Sequence, residues 1–154
     1  MRFDGSLEIK SKDLKRRHGL QPGGPVQMTI DSSVMWYMGP YMPRRQAGEL
    51  EHMMHLSTVV GSGQINIPGP YAHYLHEGIV YVDPKYNCAG FITKGGEWRS
   101  RKNVVKVRSS PIRELQYTGA PMRGKKFFDR MKADHKQDIL DEAQAYIDQK
   151  GRKK

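Results

Sequence analysis

The 154 residues carry 37% hydrophobic side chains and a net charge of +10, a low apolar content that still suits one domain with one core rather than a disordered chain. No apolar run approaches the roughly 18 residues of a membrane span, and Cys88 as the single cysteine leaves no intrachain disulfide, which suits a reducing cytoplasm. The charge is uneven: residues 94–126 hold ten basic and two acidic side chains, whereas residues 21–93 hold three and five, so one stretch is marked for a polyanionic partner such as nucleic acid.

In chain order, Met1-Arg2-Phe3-Asp4-Gly5 lacks the apolar block of a signal peptide. Alternation in Ser6-Leu7-Glu8-Ile9-Lys10 predicts a short strand. Ser11 then caps a one- or two-turn helix over 12–18, which Gly19 stops, and Gln21-Pro22-Gly23-Gly24-Pro25 is a hinge. Residues 1–24 therefore read as an N-terminal arm. Pro25 suits the first turn of the next helix, where Val26, Ile30, Val34, Met38, Tyr41 and Tyr37 form one apolar stripe that ends at Gly39-Pro40. A Pro- and Gly-rich loop covers 41–48.

Residues 53–60 and 64–68 flank Gly61-Ser62-Gly63 and predict a hairpin. A short helix opens at Pro70 and closes at Gly78, and Ile79-Val80-Tyr81-Val82-Asp83 predicts a third strand. Helix and sheet together make 25–83 a core. Residues 84–101 predict a projecting loop or ragged hairpin, Val104, Val105 and Val107 a fourth strand, and 109–125 irregular chain, so that 84–125 reads as a basic excursion. The last helix, 127–149 within a 126–150 segment, carries Phe128, Met131, His135, Ile139, Ala143 and Tyr146 on one face and is about 35 Å long at 1.5 Å per residue. Its acids read as i,i+4 partners of Lys132 and Lys136. The expected class is α+β: about four strands in a small antiparallel or mixed sheet, with the early helix and the long C-terminal helix packed on it.

No catalytic constellation emerges. His73 and His76 share a face if they lie on the short helix and lack a third ligand; His52 and His55, on a strand, point to opposite faces. A metal-dependent hydrolase is the weakest hypothesis. Gly61-Ser62-Gly63 lacks the Lys-Ser/Thr of a phosphate-binding loop. The expectation is a non-enzyme with no metal, no cofactor and no membrane contact.

At Pro70-Tyr71-Ala72-His73-Tyr74-Leu75-His76-Glu77-Gly78 and Phe127-Phe128-Asp129-Arg130-Met131-Lys132-Ala133-Asp134-His135-Lys136 the chain resembles the minor capsid proteins of tailed phages, allied to the tail-completion or head–tail joining proteins. Tyr41-Met42-Pro43 followed by Gly48-Glu49-Leu50 extends the likeness, with Ala47 where a Thr is usual. The resemblance runs from about residue 26 to 142; residues 84–120 match no pattern of that family.

It implies a virion neck protein, held in the host cytoplasm before assembly. Its copies are expected to form a ring, six by analogy, between a portal-side adaptor and tail-tube or tail-terminator proteins, with weak sequence-independent contact to duplex DNA. Lys94, Arg99, Arg101, Lys102, Lys106 and Arg108 are the expected channel- or partner-facing residues. Arg99 and Arg101 would share one face of an extended 98–108, and Lys102, Lys106 and Arg108 the other. Tyr71, Tyr74, Arg44 and Arg45 are the expected inter-subunit residues. A shell-bound minor capsid protein and a non-specific DNA-binding protein are the alternatives.

Overall fold

A computed structural model describes residues 1–4, 16–44, 48–69 and 71–151. The predicted strand over 6–10, the Ser11 cap, Arg45, Ala47 and Pro70 lie outside those residues. The class is α+β, with an early helix, small antiparallel sheets and a long C-terminal helix.

Helix α1 (Pro25–Met38) starts at a proline that needs no amide partner and runs into a single 3₁₀ turn, Gly39–Tyr41. Its predicted stripe is the buried one: Val26, Ile30, Val34, Met38 and Tyr41 are 0–6% exposed. Residues 49–57, expected largely as a strand, instead form helix α2 (Glu49–Ser57). Leu, Met and Glu are good helix formers, Leu50 and Met54 lie one turn apart and buried, and Glu49 and Glu51 suit the positive end of the helix. The β-branched signal at Thr58-Val59-Val60 begins only where the helix stops.

Strand β1 (Arg2–Asp4) therefore supplies the partner of β2 (Gln64–Asn66), in antiparallel register with Phe3 opposite Ile65. The Met1 amine donates to the Ile67 carbonyl at 2.9 Å, which ties Met1 to the segment after β2. The Gly23 amide likewise donates to Gly61 O at 2.8 Å and closes the predicted hinge.

Helix α3 (Ala72–Glu77) ends, as expected, on a left-handed Gly78 with φ 77°. The remaining strands are β3 (Tyr81–Val82), β4 (Phe91–Ile92), β5 (Trp98–Arg99) and β6 (Val107–Arg108). β3 pairs with β6 and β4 with β5, so the described residues form three two-stranded ladders rather than one sheet of four.

Helix α4 (Phe127–Gly151) packs chiefly on α1, helix against helix, where the sequence suggested packing on a sheet. Phe127, Met131, Ile139 and Ala143 are buried with the α1 stripe, and Met54 of α2, Ile65 of β2 and Ile67 just after it close the core. The acids of α4 make no ion pair with Lys132 or Lys136. Two of them are held instead by neutral donors of α1 and the 3₁₀ turn: Tyr41 Oη donates to Asp134 at 2.7 Å, Tyr37 Oη to Glu142 at 2.6 Å, and Ser33 Oγ also to Glu142. The Glu142 carboxylate accepts the Tyr37 proton so well that its phenol is pushed up to about 12. Tyr37 also stacks on His135 at 4.5 Å.

No periodicity marks Asp31, an acid that is wholly buried on α1. Its Oδ2 accepts from the Gly61 and Gly63 amides at 2.7 and 3.0 Å, and Oδ1 from Gln27 at 2.8 Å. The two amides thereby pin the 61–63 turn to the helix, while Gln27 holds the other oxygen from within α1.

Candidate docking surface

The basic excursion is a built hairpin. β4 and β5 pair with Ile92 opposite Trp98, and the turn closes through Thr93 N–H to Glu97 O at 2.8 Å and Gly96 N–H to Thr93 O at 2.9 Å. Gly96 sits at φ 81°, where a side chain would strain the turn. At the base, β6 joins β3 and returns the chain to the core. Between β5 and β6 the chain turns at Asn103 (φ 58°), so 98–108 is not one extended strand and the two predicted faces do not exist.

Each expected cation has its own environment. Arg101 meets Asp83, a buried carboxylate, at 3.1 Å. Arg99 pairs with Glu97 at 2.8 Å on the surface. Arg108 reaches Glu77 at 3.4 Å and Tyr81 Oη at 3.3 Å. The Tyr81 hydroxyl, donating to Glu77 at 2.6 Å, holds that carboxyl below its ordinary value, and His73 and Arg108 add to the effect. Lys106 Nζ donates to Ala89 O at 2.6 Å and lies 5.6 Å from the Trp98 ring centre. Lys94, at the tip, and Lys102 are exposed and make no ion pair among the described residues.

The hairpin also presents apolar groups to solvent: Ile92 is 72% exposed, Phe91 and Trp98 are exposed with it, and Val105 is exposed in the segment before β6. Trp98 is nevertheless fixed. A Cβ on Gly90 would lie 2.4 Å from its ring, so only glycine lets the indole rest there. Asp83, Tyr86, Cys88, Phe91 and Arg101 line an open cleft of about 490 Å³ under the hairpin.

The other expected contacts divide. Tyr71 is exposed, as is Arg44. Tyr74 is half-buried against Tyr81, ring centres 4.4 Å apart, and so serves the chain's own packing. The helical assignment of 49–57 also corrects the first histidine pair: His52 and His55 are both exposed on α2. The second pair separates, with His73 beside Glu77 at 3.1 Å and His76 buried, 3.6 Å from Asp129 and edge-on to Phe127. Among the described residues no three His, Cys, Asp or Glu side chains converge as a metal site, and no helix is long and apolar enough to cross a membrane. Trp36, 79% exposed on α1, escaped the sequence reading because it lies off the helix's apolar stripe.

No family model, curated protein or solved structure matches this chain.

Proposed function

We propose that this chain is a structural subunit of a tailed-phage particle, a ring-forming head–tail connector or tail-completion protein around the DNA channel. The β4–β5 hairpin carries the reading: a fixed projection with Phe91, Ile92 and Trp98 exposed among cations is a surface made for a partner. The phage-like motifs fall on elements that build the body from which this projection leaves. Tyr74 of the Pro-Tyr-Ala stretch packs on β3, and the last helix forms the core with α1.

In this reading copies close a ring, six by analogy, between a portal-side adaptor and tail-tube or tail-terminator proteins. Its work is geometric and needs no cofactor or catalysis. The net charge of +10 also favours a second reading, a free sequence-independent DNA-binding protein. A symmetry-free reconstruction of the virion neck tests the proposal. Density for this chain in a closed axial ring is expected; density only on the capsid shell, or none in the particle, overturns it.

A further inference from the structure

Two exposed surfaces have complementary charge that their own chain leaves unmatched. On the basic excursion, Lys94 at the hairpin tip and Lys102 in the turn just after β5 have no acid partner among the described residues, whereas Arg99, Arg101 and Arg108 are each neutralised internally. On α4, Asp134, Asp138, Asp141 and Asp148 recur along one flank, and none pairs with a Lys or Arg among the described residues. Asp134 is held by Tyr41, Asp138 by His135, and Asp141 and Asp148 by Gln137 and Gln144 one turn earlier.

Apolar surface matches as well. Trp36, 79% exposed, lies about 60° round α1 from Ser33, which with Tyr37 grips Glu142. A duplex offers phosphates to Lys94 and Lys102, but it meets Phe91, Ile92 and Trp98 only where its bases are unstacked or a thymine methyl is in reach. A protein face with acids beside an exposed indole answers both the charge and the apolar side chains, and buried aromatic anchors ringed by charge are what tight protein contacts use.

We propose that the β4–β5 hairpin of one copy docks on the acidic flank of α4, beside Trp36, in the next copy. The contact joins two different surfaces head to tail, the kind that closes a ring when its rotation allows and otherwise runs on as a filament. This deepens the ring reading above and rests on it.

Charge exchange tests it. Sedimentation of the full chain, from dilute to the highest soluble concentration at low salt, should show reversible association that salt weakens. K94E/K102E and D141K/D148K should each weaken association by about tenfold or more, because each places like charges together. Asp141 and Asp148 bond only to glutamines of their own helix, so D141K/D148K should melt like wild type. An equimolar mixture of the two variants restores both complementary contacts and should associate as wild type does. A wild-type chain that stays monomeric throughout, or variants that associate unchanged, overturn the proposal. So does a K94E/K102E variant that loses binding to a short duplex while self-association is unaffected, since the hairpin is then a DNA contact. An axial ring in the virion with the hairpin away from α4 overturns this contact and leaves the ring reading intact; absence of any ring removes the reading beneath it.

Discussion

The α1–α4 helix pair and the β4–β5 hairpin treat their large side chains in opposite ways. Between the helices, Met38, Phe127 and Met131 are at most 1% exposed and each nearby acid has a hydroxyl or a ring to hold. On the hairpin, Phe91, Ile92 and Trp98 are more than half exposed although the backbone is paired and the turn closed. A two-stranded hairpin has no second layer to cover both its faces. The first region specifies a fold; the second presents a surface that the fold holds still.

Mutations should separate the two regions sharply. Phe127→Ala should lower stability by about 3–5 kcal/mol, through lost burial and the cavity left beside His76. Trp98→Ala removes a larger side chain yet should stay within about 1 kcal/mol of wild type, because the ring is already largely in water. Thermal and urea melts of the two variants check this directly. Asp31→Ala should rank next, at about 3 kcal/mol, because the Gly61 and Gly63 amides would be buried without an acceptor. Gly78→Val should cost about 1–3 kcal/mol, since φ 77° disfavours a branched side chain and a Cβ would meet Lys125 at 2.5 Å.

The pH response sharpens the contrast. Burial, and the nearby Lys126, hold the His76 imidazole below its ordinary value of 6.5; Asp129 and Glu77 oppose this and His73 adds to it. The unfolded chain thus takes up the proton first. The stabilising effect of a neutral His76 is complete above 6.5 and is lost as the pH falls below 6.5 toward the lowered folded value. Urea midpoints should fall between about pH 7 and pH 5, and His76→Gln should flatten that fall relative to wild type. An unchanged slope in the variant would assign it to another group.

The helical half of this contrast was legible in the sequence. Period 3.6 marked the faces of α1 and α4, and Pro25, Gly39 and Gly78 marked ends that the structure keeps. The 49–57 segment was misread because hydrophobic side chains before Gly61-Ser62-Gly63 look like a hairpin arm, and only Leu50 and Met54 at i,i+4 announce the helix. Pairing of β1 with β2 spans some sixty residues and has no local signature. At the docking surface, composition found the charge, but alternation could not foresee the turn at Asn103 or the carboxylates that claim Arg99, Arg101 and Arg108. Those pairings change which substitutions are informative: reversing Arg101 would set a second carboxylate against buried Asp83, whereas Lys94 and Lys102 can be reversed without touching a partner.

The smallest effect is expected at Arg99. Its ion pair with Glu97 is open to water on both sides, so Arg99→Ala should shift stability by less than about 0.5 kcal/mol in a melt.

Replacing residues 91–99 with a two-glycine link tests the central claim most directly, because it removes the projecting hairpin and spares the Asp83–Arg101 pair at its base. The thermal midpoint of that variant should stay close to wild type while phage carrying it yield heads and tails that fail to join. A midpoint lowered as far as that of Phe127→Ala, or a full yield of infectious particles, would contradict the account.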